Sequence, residues 1–116
     1  MKRDYLDYIA DIANAIDEVS EFTRGMNLEE FGSDRKTANA VVRSLEVMGE
    51  AAKKVPEHVR RRYTDVPWKR MAGMRDKLIH EYHGVDLETV WIVIKEELPP
   101  VRLLVEEVLQ QARDED

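Results

Sequence analysis

The sequence predicts an all-α fold, an up-and-down bundle of four to five helices. Three observations predict it. Apolar residues recur at intervals of three and four along most of the chain. Between these runs stand N-cap residues, prolines and glycines of the kind that start and stop helices. Strand signals, low-complexity segments and internal repeats are absent from the pattern.

The first run is Tyr5, Tyr8, Ile9, Ile12, Ile16 and Val19, an amphipathic helix expected over residues 2–23 and ended by Gly25 and Asn27. A short turn through Leu28-Glu29-Glu30-Phe31 follows. Ser33 or Asp34 then offers an N-cap for a second helix. Its stripe is Ala38, Val41, Val42, Leu45, Met48, Gly49 and Ala52, with Arg43, Glu46 and Glu50 along the flank. A glycine inside a helix costs about 1 kcal/mol relative to alanine, so Gly49 among small neighbours implies another backbone passing close. Lys54-Val55-Pro56 closes this helix, and Pro56 suits the first turn of a short third one through Arg62.

Asp65 and Pro67 read as cap and first-turn residues of the next helix. Counted at about 100° per residue from Trp68, the residues Trp68, Met71, Ala72, Met74, Leu78, Ile79 and Tyr82 fall on one wide apolar arc. His83-Gly84 resembles a C-terminal cation followed by a glycine cap. Asp86 is expected to cap a further helix that turns Leu87, Val90, Trp91, Ile94 and Leu98 inward. Pro99-Pro100 either kinks that helix or splits it from Val101–Ala112. The end of the chain, Arg113-Asp114-Glu115-Asp116, is expected to fray.

At 116 residues and 43% apolar, residues 1–116 are expected to form one domain that buries roughly two thirds of its unfolded surface. With no Cys there is no sign of an oxidising compartment and no thiolate metal site. The three His residues show no ligand spacing on a helix, so neither a metal nor another cofactor is expected. Neither a secretory start nor an apolar run long enough to span a membrane is present, and a soluble, cytoplasmic protein is expected.

The net charge of −6 argues against a general nucleic-acid coat, because phosphate neutralisation dominates such binding. The charge is uneven, however. Lys53 to Lys77 holds nine Lys or Arg against three acids, a local +6, so everything else carries −12. A basic segment in an acidic protein suits a small or transient anionic ligand better than a long duplex. Arg60-Arg61-Arg62 reads equally as a solvated helix face.

The densest polar chemistry lies in that segment and just beyond it, from Met74 to Gly84. Arg75 falls near the middle of the apolar arc. A guanidinium cannot shed its charge, so it must meet an anion, a carboxylate or a wet interface. His80 lies about 140° around from Arg75 on the same helical count. Convergence of the two on one substrate atom therefore needs the long reach of Arg75, a fraying helix end, or the same segment of a second copy.

The spacing Arg75-x4-His80-x-Tyr82 resembles the Arg-x4-6-His motif of the HEPN superfamily, and the added tyrosine resembles its HepT-like toxin branch. The surroundings match too: Val66-Pro67-Trp68, Leu78-Ile79-His80-Glu81-Tyr82, Gly84-Val85-Asp86, and upstream Ser44-Leu45-Glu46-Val47-Met48-Gly49-Glu50-Ala51-Ala52. The resemblance covers nearly the whole chain. It implies an HEPN-like helical bundle and a metal-independent endoribonuclease whose Arg75 and His80 pairs, one from each protomer of a homodimer, line a cleft. It implies also a cognate minimal nucleotidyltransferase antitoxin that attaches AMP to Tyr82, within a type VII-like toxin–antitoxin module. The substrate would be RNA, with tRNA as one candidate.

Each residue has a plainer reading beside this one. His80 is equally an exposed helix residue paired with Asp76 one turn earlier. Tyr82 is equally an apolar ring with its hydroxyl at the rim of the bundle. Glu46 and Glu50 either form surface ion pairs with Arg43 and with Lys53 or Lys54, or, together with Asp76, support Arg75 and His80 and orient them. The alternative to a ribonuclease toxin is a non-catalytic HEPN module that holds a nucleotide or a nucleotidyltransferase in the same cleft.

Overall fold

The computed structural model describes residues 4–80 and 86–115, with the backbone alone at residues 75 and 78–80. All regular structure among these residues is helical, as an all-α bundle of HEPN type requires. The helices are α1 (Tyr5–Phe22), α2 (Leu28–Ser33), α3 (Arg35–Lys54), α4 (Glu57–Arg62), α5 (Trp68–His80), α6 (Leu87–Ile92) and α7 (Leu98–Asp114).

Helix α1 begins where a capping box can form. Asp4 accepts from the Leu6 amide while Asp7 accepts from the Asp4 amide at 3.3 Å, which satisfies amides that have no helical partner. The predicted stripe is buried through Ile9, Ile12, Ile16 and Val19, and Tyr5 and Tyr8 pack partly against it. Past the last turn the Thr23 hydroxyl donates to the Val19 carbonyl at 2.8 Å. Gly25 then takes φ of 75°, a left-handed conformation open to glycine at little cost, and turns the chain.

Where a turn is expected at Leu28–Phe31, the structure has the short helix α2. Asn27 accepts from the Glu30 amide at 2.8 Å and the Glu30 carboxylate accepts from the Asn27 amide at 3.1 Å, a second capping box. Phe31 is fully buried and meets Trp91 of α6 with ring centroids 5.2 Å apart. Six residues hold only this one buried anchor, too few for a helical period to show.

Asp34, rather than Ser33, caps α3: the Thr37 amide and hydroxyl both donate to it, at 3.0 and 2.8 Å. Ser33 donates instead to the Glu29 carbonyl at 2.8 Å. The whole predicted stripe of α3 is buried, Gly49 included, and so are Ser44 and Ala51. Helix α3 packs on α1 and on α5, and α1 also packs on α7. Two polar ties hold these faces in register: Ser44 donates to Glu18 at 3.0 Å, and Arg102 of α7 donates through two nitrogens to Asp17 at 2.9 and 3.1 Å.

The proline pair does not split the last helix, and Pro99 and Pro100 lie in the first turn of α7. Between α6 and α7 the chain makes a π-helical turn, Val93–Glu97, in which the Leu98 amide donates to the Val93 carbonyl five residues back. Proline lacks an amide and its ring crowds the carbonyl four residues earlier, here Lys95 and Glu96. Both carbonyls lie in the widened turn, so the wide turn accommodates the prolines and one rod continues to Asp114.

Candidate active site

Helix α5 carries the two residues to which the sequence assigns the chemistry. Its start is fixed by packing. Trp68 and Met71 are buried, the Trp68 ring donates from Nε1 to the Tyr63 carbonyl at 3.0 Å, and the Met71 amide donates to the Pro67 carbonyl at 3.0 Å. Pro67 therefore stands just before the first helical residue, one step earlier than the expected first-turn position. Asp65, the expected cap, makes no hydrogen bond to the helix start among the described residues.

From Trp68 the helix runs without interruption through Arg75 to His80. The 140° of separation expected from the spacing thus applies to their backbone positions. Tyr82, together with the His83-Gly84 cap, lies outside the described residues.

On α3, Glu46, Glu50 and Lys53 share a flank. The plainer reading of the two glutamates has direct support: Arg43 approaches Glu46 at 4.0 Å, and Lys54 pairs with Glu50 at 3.7 Å. Glu46 is the more enclosed of the two, its side chain 24% exposed. Lys53 does something the i,i+4 rule does not foresee. It crosses to α5 and pairs with Asp76 at 3.2 Å. Asp76, expected beside His80 or in support of the motif, ties the motif helix to α3. The signal was present in the sequence, since Lys53 continues the flank of Glu46 and Glu50 by one more turn.

Seven of the nine cations of the basic segment divide into two groups. Lys53, Lys54, Arg62 and Arg70 are engaged, the last two with Glu115 and Glu97 of the α6–α7 rod. Glu97 raises the Arg70 guanidinium above its ordinary pKa by accepting its hydrogen bond. Arg61, Lys69 and Lys77 are exposed and have no ion-pair partner among the described residues.

The next described residue, Asp86, gives α6 a firm start. Asp86 accepts from the Thr89 hydroxyl at 2.9 Å and from the Glu88 and Thr89 amides at 3.0 and 3.4 Å. These bonds, led by the Thr89 hydroxyl, hold its carboxyl below the usual range. The motif helix is thus bounded by a buried tryptophan on one side and a well-made cap on the other. Among the described residues no three His, Asp or Glu side chains gather into a group that could hold a metal ion, and no helix is long and apolar enough to cross a membrane.

No solved structure matches the chain. Curated proteins do. A protein of Thermococcus cleftensis named "Probable ribonuclease HepT" is 48% identical over 102 residues, which covers 88% of this chain and 93% of the relative. One of Methanocaldococcus jannaschii, "Putative RNase MJ1216", is 44% identical over 115 residues, 99% of this chain and 95% of the relative. A third, "Putative RNase TTE0752" of Caldanaerobacter subterraneus, is 42% identical over 106 residues, 91% of this chain and 95% of the relative. The family model described as ribonuclease HepT-like matches residues 12–108, which takes in α3, α5, α6 and most of α7. The chain belongs to the HepT-like ribonuclease family.

Proposed function

We propose that this protein is the ribonuclease toxin of a two-gene toxin–antitoxin module, cleaving RNA without a metal through Arg75 and His80. The observation that carries the reading is the family match over residues 12–108 together with Arg75-x4-His80 on a single helix. RNA supplies its own nucleophile. His80 takes the proton of a ribose 2′-hydroxyl as its oxygen attacks the adjacent phosphorus, a task suited to imidazole, whose ordinary pKa lies near neutrality. The bond from phosphorus to the 5′-oxygen breaks, and that oxygen leaves as a hydroxyl by taking a proton from water. Arg75 offers a planar set of donors to the charge that grows on the phosphoryl oxygens.

Arg75 lies mid-arc on α5 and cannot stand in a dry core. A homodimer that sets two such helices face to face across a two-fold axis would solvate it and bring Arg75 and His80 from both protomers into one cleft. Glu46 and Glu50 support the arginine from the α3 flank in this reading, with Asp76 held by Lys53. Tyr82 is the site at which a partner nucleotidyltransferase attaches AMP. The added phosphate would pair with Arg75 and the purine would fill the RNA space, so silencing follows from occupancy and charge.

Incubation of the purified protein with RNA in EDTA, followed by end-group analysis, tests the reaction. Fragments ending in a 2′,3′-cyclic phosphate and a 5′-hydroxyl are expected, and none from His80→Ala. Sedimentation tests the dimer, and a fully active monomer would overturn the shared cleft. Intact mass of protein co-expressed with the neighbouring nucleotidyltransferase tests the switch, with AMP-sized increments expected on wild type and absent from Tyr82→Phe. The acidic balance of −6 favours a second reading, a non-catalytic module that binds a nucleotide or the transferase. RNA left intact by wild type while the complex with the transferase forms would establish that reading instead.

A further inference from the structure

We infer that the exposed face of α5 is a track for the phosphates of single-stranded RNA, made by Lys69 and Lys77 on either side of Gly73 and leading to His80. The inference rests on His80 as the catalytic base.

The register of the helix aligns these positions. At about 100° per residue, Gly73, Lys77 and His80 lie about 40°, 80° and 20° around from Lys69, so all four share one narrow sector. Along the axis Lys77 is about 4.5 Å and Lys69 about 16 Å from His80, a distance that spans several nucleotides of a strand. Lys69, Gly73 and Lys77 are all exposed. Neither lysine has an ion-pair partner among the described residues, whereas Lys53, Lys54, Arg62 and Arg70 of the same basic segment do. Lys69 is therefore uncommitted in a protein whose net charge is −6, and Lys77 has only the longer-range attraction of Asp86, whose carboxyl it helps the Thr89 hydroxyl to hold below the usual range. Asp76 shares the sector, but Lys53 pairs with it at 3.2 Å and offsets its charge.

Gly73 sharpens the assignment. A Cβ built there would meet nothing within 4 Å, so no packing accounts for a glycine in mid-helix, where it costs about 1 kcal/mol relative to alanine. Its bare backbone leaves a shallow saddle between the two cations, in which a ribose and phosphate can approach closely. Two lysines about 12 Å apart on one narrow helix face suit a single strand rather than a duplex.

The test uses a short single-stranded 2′-O-methyl RNA, which binds but cannot be cleaved, titrated by fluorescence anisotropy at several salt concentrations. For Lys69→Ala/Lys77→Ala the slope of log affinity against log salt should be shallower than wild type by about 1.4, the loss of two phosphate contacts at about 0.7 each. Gly73→Leu should weaken binding with the slope unchanged. In cleavage assays the lysine double variant should lose much more of its kcat/KM on a long RNA than on a dinucleotide. His80→Ala should lose cleavage of both substrates and keep the wild-type salt slope. A wild type that cleaves neither substrate but shows the slope difference would overturn the role of His80 and leave the track standing. An unchanged slope in the double variant, or a wild type that does not bind the methylated RNA, would overturn the track.

Discussion

Helices α3 and α5 lie against each other and are built on opposite plans. Over its 20 residues α3 sinks Val41, Leu45, Met48 and Ala52 into the core, each at most 1% exposed, and its neighbours on the stripe are buried with them. Helix α5 has 13 residues; it buries Trp68 and Met71 in its first turn and leaves Lys69, Arg70, Gly73 and Lys77 exposed. Stability is concentrated where apolar area is buried, and among the described side chains of α5 that area lies in its first turn, with Met74 packed partly against the core. The contrast separates two kinds of substitution. Changes on α3 should unfold the protein before they alter chemistry, and changes on the polar side of α5 should do the reverse.

The largest effect is expected at the motif. His80→Ala should lower RNA cleavage by about 100-fold to 10,000-fold, the usual contribution of a positioned general base, while circular dichroism and unfolding free energy stay within about 0.5 kcal/mol of wild type. Arg75→Ala should also inactivate, and Arg75→Lys should recover little, because an ammonium lacks the bidentate geometry. Loss of helical content in His80→Ala would break the comparison, since it would make α5 a structural element like α3.

Next comes Leu45→Ala. It leaves a cavity in the core and should cost about 2–5 kcal/mol in urea unfolding. At temperatures where the variant remains folded, its cleavage rate should match wild type. A loss of activity without a loss of stability would show that α3 shapes the site directly.

Acid sharpens the picture at the start of α3. The Thr37 amide, and then its hydroxyl, hold the Asp34 carboxyl below the usual carboxylate range. Folding therefore favours the ionised form. The contribution of Asp34 is fully present above about pH 3.9, the unfolded value, and is lost as pH falls through the lower folded value. The stability gap between wild type and Asp34→Ala should narrow below that pH and stay constant above it. A gap independent of pH would mean that the cap acts through something other than the carboxylate.

The smallest effect belongs to the bridge between the two helices. Lys53 and Asp76 are each nearly half exposed, so Lys53→Ala should cost no more than about 1 kcal/mol. Added salt should shrink that difference. A cost well above this range would make the pair the principal tether of the motif helix, in place of Trp68 and Met71.

Much of this molecule is legible in the order of its residues. The stripes of α1 and α3, the Asp86 cap, and the all-α character follow from local rules, in which a residue's neighbours three and four places away decide its burial. Family membership rests likewise on linear pattern, and the Arg75-x4-His80 spacing stands on one helix as read. What tertiary structure decided involves partners distant in sequence. Helix α2 exists because Phe31 finds Trp91, 60 residues on. The choice between kink and split at Pro99-Pro100 fell to a π-turn beside a core that keeps Val93, Ile94 and Leu98 buried on one rod. Lys53 chose Asp76, 23 residues away, over the glutamate one turn behind it, because α3 and α5 pack side by side. Periodicity records which face of a helix seeks cover, but the cover itself, and the cross-helix charges that come with it, are set only when the faces meet.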